Sequence, residues 1–192
     1  MKKLALASIV AMLSGPALAH TGVGDPSGFL HGFLHPIFGM DHVLAMVAVG
    51  LWSGFVLPTR FWAGAAAFMG AMVVGAGLSW SGIGYPMVET VIVASVVAFG
   101  VLTLVSHRGQ PGPVTAASLV AIAVFASAHG HAHATEASGN AFAYLVGFLI
   151  ATAGLHLAGI GIARAVAEKP VVQRALGGGI TLSGLWLLAG GG

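Results

Sequence analysis

Long apolar runs, separated by short clusters of Gly, Pro and polar residues, fill nearly the whole chain. Each run approaches or exceeds the roughly 20 residues a helix needs to cross a bilayer. The pattern predicts an all-α integral membrane protein with six transmembrane helices. Their expected limits are Phe29 to Leu57, Phe61 to Leu78, Met87 to Val105, Val114 to His129, Ala141 to Ala163 and Ala175 to Ala189. The first is longer than a span requires, so its front is expected to be an interfacial segment bent at Pro36. Pro58-Thr59-Arg60 reads as a tight turn, and Ser79 to Pro86 as a loop whose aromatics suit the membrane interface. Ser106 to Pro113 and the charged stretch Arg164 to Arg174 read as further loops.

The opening segment follows another pattern. Lys2 and Lys3 precede an apolar stretch from Leu4 to Leu13; Gly15 and Pro16 break it, and Ala17-Leu18-Ala19 is a small-x-small sequence. This predicts a secretory signal peptide over residues 1–19 and a six-helix membrane domain over residues 20–192. An uncleaved first span is the alternative, but the apolar core of about ten residues is too short to cross. Cleavage after Ala19 would make His20 the mature N-terminus, on the outer side of the membrane. The connections after spans one, three and five are then cytoplasmic. Arg60, Arg108, Arg164, Lys169 and Arg174, all the basic residues beyond the signal segment, fall in those three connections. That distribution obeys the positive-inside rule and places both mature termini in the periplasm.

Composition sharpens this picture. Only 6% of residues are charged and mean hydropathy is +0.97, which excludes a soluble domain. The chain has no cysteine, so it has no disulfide, no thiolate metal site and no cysteine nucleophile. A net charge of +2 is too small to argue for nucleic acid. Glycine is abundant, and Gly50-Leu51-Trp52-Ser53-Gly54 has the spacing of a close helix contact. Gly75, Gly77, Gly154, Gly159, Gly161 and the run Gly177 to Gly179 suggest the same, although membrane helices are glycine-rich in general.

Against that background the ionisable residues stand out, because an ionisable group inside a span marks a functional site by default. His31, His35, Asp41 and His42 occupy the outer half of span one, and Glu89 begins span three. His129, His131, His133 and Glu136 lie at the outer end of span four and just beyond. His156 is deeper, in span five. At about 100° per residue, His31, His35 and His42 share a stripe, which Met46 extends inward. Asp41 lies off it and is expected to accept a hydrogen bond from a ligating imidazole. His129, His133 and Glu136 share a second face, from which His131 points away. Imidazole and carboxylate without thiolate suit nickel, cobalt, zinc or manganese. The candidate metal residues are therefore His35, Asp41, His42, Glu89, His129, His133, Glu136 and His156. Structural alternatives are a solvated polar loop for His129 to Glu136, a helix-start carboxylate for Glu89 and a helix–helix hydrogen bond for His156. His107 reads as a loop residue. Spans one and four each open a group of three helices and each carries a histidine motif, which suggests a three-plus-three inverted repeat.

The stretches His35-Pro36-Ile37-Phe38-Gly39-Met40-Asp41-His42, continuing through Trp52, and His129-Gly130-His131-Ala132-His133-Ala134-Thr135-Glu136 resemble the HupE/UreJ family of nickel permeases and hydrogenase or urease accessory proteins. Glu89 and Leu155-His156 also look like family features. The resemblance spans essentially the whole mature chain. Ala128 departs from it, at a position where a bulky aromatic is expected. The resemblance implies a cytoplasmic-membrane protein that moves Ni²⁺ inward for nickel-enzyme assembly, with His35, Asp41, His42, His129 and Glu136 as transport residues. Relatives assigned to cobalt leave the metal open. Expected partners are the metal ion and the lipid bilayer, with a homo-oligomer and nickel-enzyme maturation proteins as further candidates and no nucleic acid.

The expected mechanism is capture at His129 to Glu136, coordination by His35 and His42 with Asp41 and Glu89 offsetting charge, then passage towards His156. Binding has to stay weak enough for release. The chain carries no P-loop, so the membrane potential or an ion gradient supplies the driving force. The competing class is an intramembrane zinc hydrolase, which would use the same residue types around one open metal position. The spread of histidines and the separate His156 read as a path more than a single catalytic centre, so no enzyme activity is expected. Only neutral imidazole binds a metal. Uptake should therefore be full above the ordinary imidazole value and weaken as pH falls through roughly 6.5. Initial rates of ion uptake measured between neutral and mildly acid pH check this; a flat profile would count against histidine ligation.

Overall fold

The computed structural model describes residues 28–137, 139–167 and 169–191. The expected signal peptide and His20 lie outside them. The described residues form seven helices and no strand: α1 (Gly28–Phe38), α2 (Met40–Val56), α3 (Ala63–Trp80), α4 (Val88–Val105), α5 (Gly112–Glu136), α6 (Ala141–Ala165) and α7 (Pro170–Leu188). Helices α3 to α7 are each long and apolar enough to cross a membrane. The pair α1 and α2 meets the same test as one broken span bent by 77°, which makes six.

Three boundaries differ from those expected. The bend in span one lies at Gly39, not at Pro36, which is buried within α1. Gly39 adopts an extended conformation and serves both helices: its N–H donates to the His35 carbonyl and its own carbonyl accepts from Val43. A side chain there would meet Nδ1 of His42 and Oδ1 of Asp41, so glycine is what lets the chain turn beneath those two groups. Helix α5 runs seven residues past the expected His129, to Glu136, because His129, His131 and His133 are buried in the bundle instead of solvated in a loop. Helix α7 starts at Pro170, five residues before Ala175, with proline in the first turn where its missing N–H costs nothing. Gln173, one turn in, donates to the carbonyls of Thr103 and Ser106 at the end of α4.

The helices pair along lanes of glycine. Helix α2 packs along α6, α3 along α5, and α4 along α7, while α1 lies on α6. At each crossing a glycine meets backbone: Gly50 faces the His156 carbonyl, Gly159 the Val47 carbonyl, Gly75 the Ser127 carbonyl, and Gly177 the backbone of Leu104. Main-chain dispersion contacts of this kind replace the hydrophobic drive that lipid removes. Gly77, Gly154, Gly161, Gly178 and Gly179 do not act this way, since a side chain at each would meet nothing within 4 Å. Trp52, Met46, Phe68, Phe99 and Phe148 fill the centre.

Exchanging the first three spans for the last three turns the α2–α6 pair into α5–α3 and maps α4–α7 onto itself. The pairing therefore has the symmetry of an inverted repeat. The histidine motifs do not follow it: the first begins its span and the second ends its span, so both lie at one end of the bundle. The opposite end collects Arg60, Arg108 and Lys169, together with Arg164 in the last turn of α6, whose guanidinium sits 4.7 Å from the Phe61 ring centre. Gly75→Ala should lower stability by about 1–3 kcal/mol, because a methyl group there meets a main-chain carbonyl that cannot yield. Gly154→Ala should be neutral or slightly stabilising. Thermal unfolding of the two variants in detergent checks the contrast.

Candidate metal site

The histidine end of the bundle is assembled from four helices. Helix α1 brings His31 and His35, the first turn of α2 brings Asp41 and His42, and the last turns of α5 bring His129, His133 and Glu136. Helix α6 closes the group with Tyr144 and Phe148. The turn at Gly39 makes this convergence possible. In one straight helix His35 and His42 would lie along a common stripe; across the bend their rings face each other, with centres 5.4 Å apart.

Hydrogen bonds fix the chemistry each imidazole presents. Nδ1 of His42 lies 2.6 Å from Oδ1 of Asp41, which also accepts from the His42 backbone N–H. A carboxylate only accepts, so Nδ1 carries the proton and Nε2 presents its lone pair. The same reasoning applies to His133, whose Nδ1 donates to Oε2 of Glu136 at 3.1 Å. The two Nε2 atoms then point at each other across 2.5 Å. With both Nδ1 protons engaged, the two Nε2 lone pairs face one another, an arrangement that a shared proton, or a cation with the rings drawn slightly apart, would relieve.

His35 completes the group. One ligand nitrogen from each of His35, His42 and His133 lies within 4.8 Å of the others. Nitrogens bound to a common ion at about 2.1 Å stand roughly 3 to 3.4 Å apart at right or tetrahedral angles, so ring movements of about 1 Å suffice to close on a cation. Glu136 also approaches Nε2 of His35 at 3.6 Å. Phe148 lies against all three rings, 4.5 Å from His133, 6.1 Å from His35 and 6.3 Å from His42, and Tyr144 stands beside His31 and His35. These aromatic walls leave His42 and His133 almost wholly buried and His35 partly open.

His129 is one helical turn deeper. Its ring centre is 5.3 Å from that of His42. Nε2 contacts Oγ of Ser95 at 3.0 Å, and that hydroxyl spends its proton on the Ile92 carbonyl, so His129 is the donor and its Nδ1 is left bare. His156 donates from Nδ1 to the Met46 carbonyl at 2.7 Å, which leaves Nε2 bare. Neither bare nitrogen has a protein partner, and both residues are fully buried. Leaving a buried polar atom unsatisfied costs about 1–3 kcal/mol.

The remaining sequence candidates separate from this column. His131 does point elsewhere: its Nε2 donates to the Ile83 carbonyl at 2.6 Å, and Tyr85 packs on its ring, so it ties α5 to the α3–α4 connection. Glu89 is exposed in the first turn of α4, outside the three-imidazole group. His107 is exposed between α4 and α5. Sequence reasoning did not single out Ser95, Phe68, Tyr144, Phe148 or Thr152. For Tyr144, Phe148 and Thr152 the one available signal was their four-residue spacing, continued by His156, which places them on one face of α6.

Comparison with known proteins places the chain in a family. No solved structure matches the chain. Protein HupE of Rhizobium leguminosarum bv. viciae is 40% identical over 195 residues, covering 99% of this chain and 100% of its own length. The family described as HupE / UreJ protein matches residues 8–187. The chain that places these histidines together therefore belongs to the HupE/UreJ family.

Proposed function

We propose that this protein is a secondary transporter or channel that carries a divalent transition metal, Ni²⁺ or Co²⁺, from the periplasm to the cytoplasm. In this reading it supplies metalloenzyme maturation, such as that of hydrogenase or urease. The observation that carries the proposal is the pair of Nε2 atoms of His42 and His133, aimed at one point with His35 alongside. Asp41 and Glu136 support it from behind, each spending its charge on an imidazole Nδ1–H and so raising the basicity of the opposite nitrogen. In this role His35, His42 and His133 replace water in the shell of the arriving ion. Glu136, partly exposed, meets the ion first, and His129 and His156 receive it below. Glu89 adds negative charge near the outer face.

The orientation follows from the basic end of the bundle being cytoplasmic, with a signal peptide over residues 1–19 exporting the N-terminus. An inward-moving divalent ion then gains about 4.6 kcal/mol per 100 mV of membrane potential, which is enough to drive uptake without nucleotide hydrolysis. A zinc-hydrolase reading finds no observation in its favour. A hydrolase needs a carboxylate free to move a proton from metal-bound water, whereas both carboxylates at the site are engaged by ligating imidazoles.

His42→Ala should reduce Ni²⁺ uptake into proteoliposomes by more than about tenfold, and Asp41→Asn should weaken Ni²⁺ binding by roughly 10- to 100-fold. Asparagine can accept from Nδ1–H but brings no charge to the pair. Radiotracer uptake and equilibrium dialysis read the two effects. Wild-type vesicles that take up no Ni²⁺, Co²⁺ or Zn²⁺ under an inside-negative potential would remove the transport proposal.

A further inference from the structure

Beneath the three-imidazole group, the centre of the bundle holds three polar atoms that are buried and without a hydrogen-bond partner: Nδ1 of His129, Oγ1 of Thr152 and Nε2 of His156. All three residues have no exposed surface. His129 and His156 pack on one common ring, that of Phe68, with centres 5.3 Å and 5.0 Å from it. Thr152 precedes His156 by four residues and so stands one helical turn towards the outer group on the same face of α6. An apolar core built only for packing would carry none of these atoms, because an unpaired buried acceptor is costly.

The tautomers say what kind of ligand belongs here. His129 spends its proton on Ser95 and His156 spends its proton on the Met46 carbonyl. Both nitrogens therefore present lone pairs, and the Thr152 hydroxyl oxygen presents another. Two bare imidazole nitrogens packed about one ring, with a hydroxyl oxygen one turn away in a dry interior, suit a guest that is positively charged. They suit an anion or an apolar guest poorly. Phe68 covers the two imidazoles.

We propose that His129, Thr152 and His156 form a second, inner station for the transported divalent cation, a proposal that rests on the permease reading above. The ion leaves the outer group through His129, whose ring lies next to that of His42, and is next held by Nε2 of His156 and Oγ1 of Thr152. The inner station has only neutral ligands, whereas the outer group is backed by two carboxylates. Capture is therefore tight outside and release is easy inside, which is the order that conduction towards the basic end needs.

The test uses the full-length protein and separates ligation from packing. His156→Asn keeps an amide N–H near the position of Nδ1 for the Met46 carbonyl but removes Nε2. Thr152→Val keeps the shape of the side chain and removes the hydroxyl. Both variants should keep the tight Co²⁺ binding of the outer group in detergent, since that group is intact, and lose only the weaker share of bound Co²⁺ that the inner station adds. Both should lose Ni²⁺ uptake into proteoliposomes by about tenfold or more. If both load vesicles at the wild-type rate while His42→Ala does not, the inner station is wrong and the permease reading stands. If both variants lose the tight outer Co²⁺ binding along with uptake, the residues act through the fold and the inner station is likewise overturned. Failure of the wild type itself to load vesicles removes the permease reading and the station with it.

Discussion

The structure depends on two imidazole nitrogens that point at each other. Nε2 of His42 and Nε2 of His133 come from helices distant in sequence, and each has its opposite nitrogen tied to a carboxylate. Left bare, the two lone pairs repel. With a cation between them they become a pair of ligands. In the proposed permease this pair would be organised for positive charge before an ion arrives, and the surrounding helices would hold it so. Phe148 and Tyr144 exclude water from one side. The break at Gly39 swings His35 over the pair from another side.

That arrangement constrains the packing around it. Helix α2 has to approach α6 closely enough for His156 to reach the Met46 carbonyl, and Gly50 and Gly159 permit it by letting backbone touch backbone. Helix α5 has to stay helical through a polar, histidine-rich sequence to carry His133 and Glu136 into place. Its alanines favour that, and burial of His129, His131 and His133 completes it. The opposite end is held by a different set of contacts: Trp52 to Ser106, Gln173 to the end of α4, and Arg164 on Phe61. One end of the bundle gathers imidazoles and carboxylates, and the other gathers the cationic side chains.

Much of this was legible in the sequence. Six apolar runs gave the helical membrane architecture, and the two histidine stretches contained most of the residues that the structure brings together in the candidate site. Two features were hidden for physical reasons. Proline is the usual cause of a bend, so Pro36 was the expected hinge. Yet α1 tolerates Pro36, and the turn falls at Gly39 because only glycine leaves room beneath Asp41 and His42. The stretch His129 to Glu136 looked like a solvated loop because its hydropathy is low, and hydropathy does not register that an imidazole can be buried against other imidazoles. Ser95 carried no signal and Thr152 only its four-residue spacing from His156, since a hydroxyl in a membrane helix ordinarily bonds to its own backbone. Ser95 does so and also accepts from His129, whereas the Thr152 hydroxyl has no partner at all.

The most direct measurement of the central claim is X-ray absorption fine structure of the purified protein loaded with one equivalent of Ni²⁺. About three imidazole nitrogens near 2.1 Å are expected, with the outer-ring scattering that imidazole produces, and carboxylate or water oxygens completing the shell. A shell of oxygen alone, with no imidazole scattering, would contradict that claim.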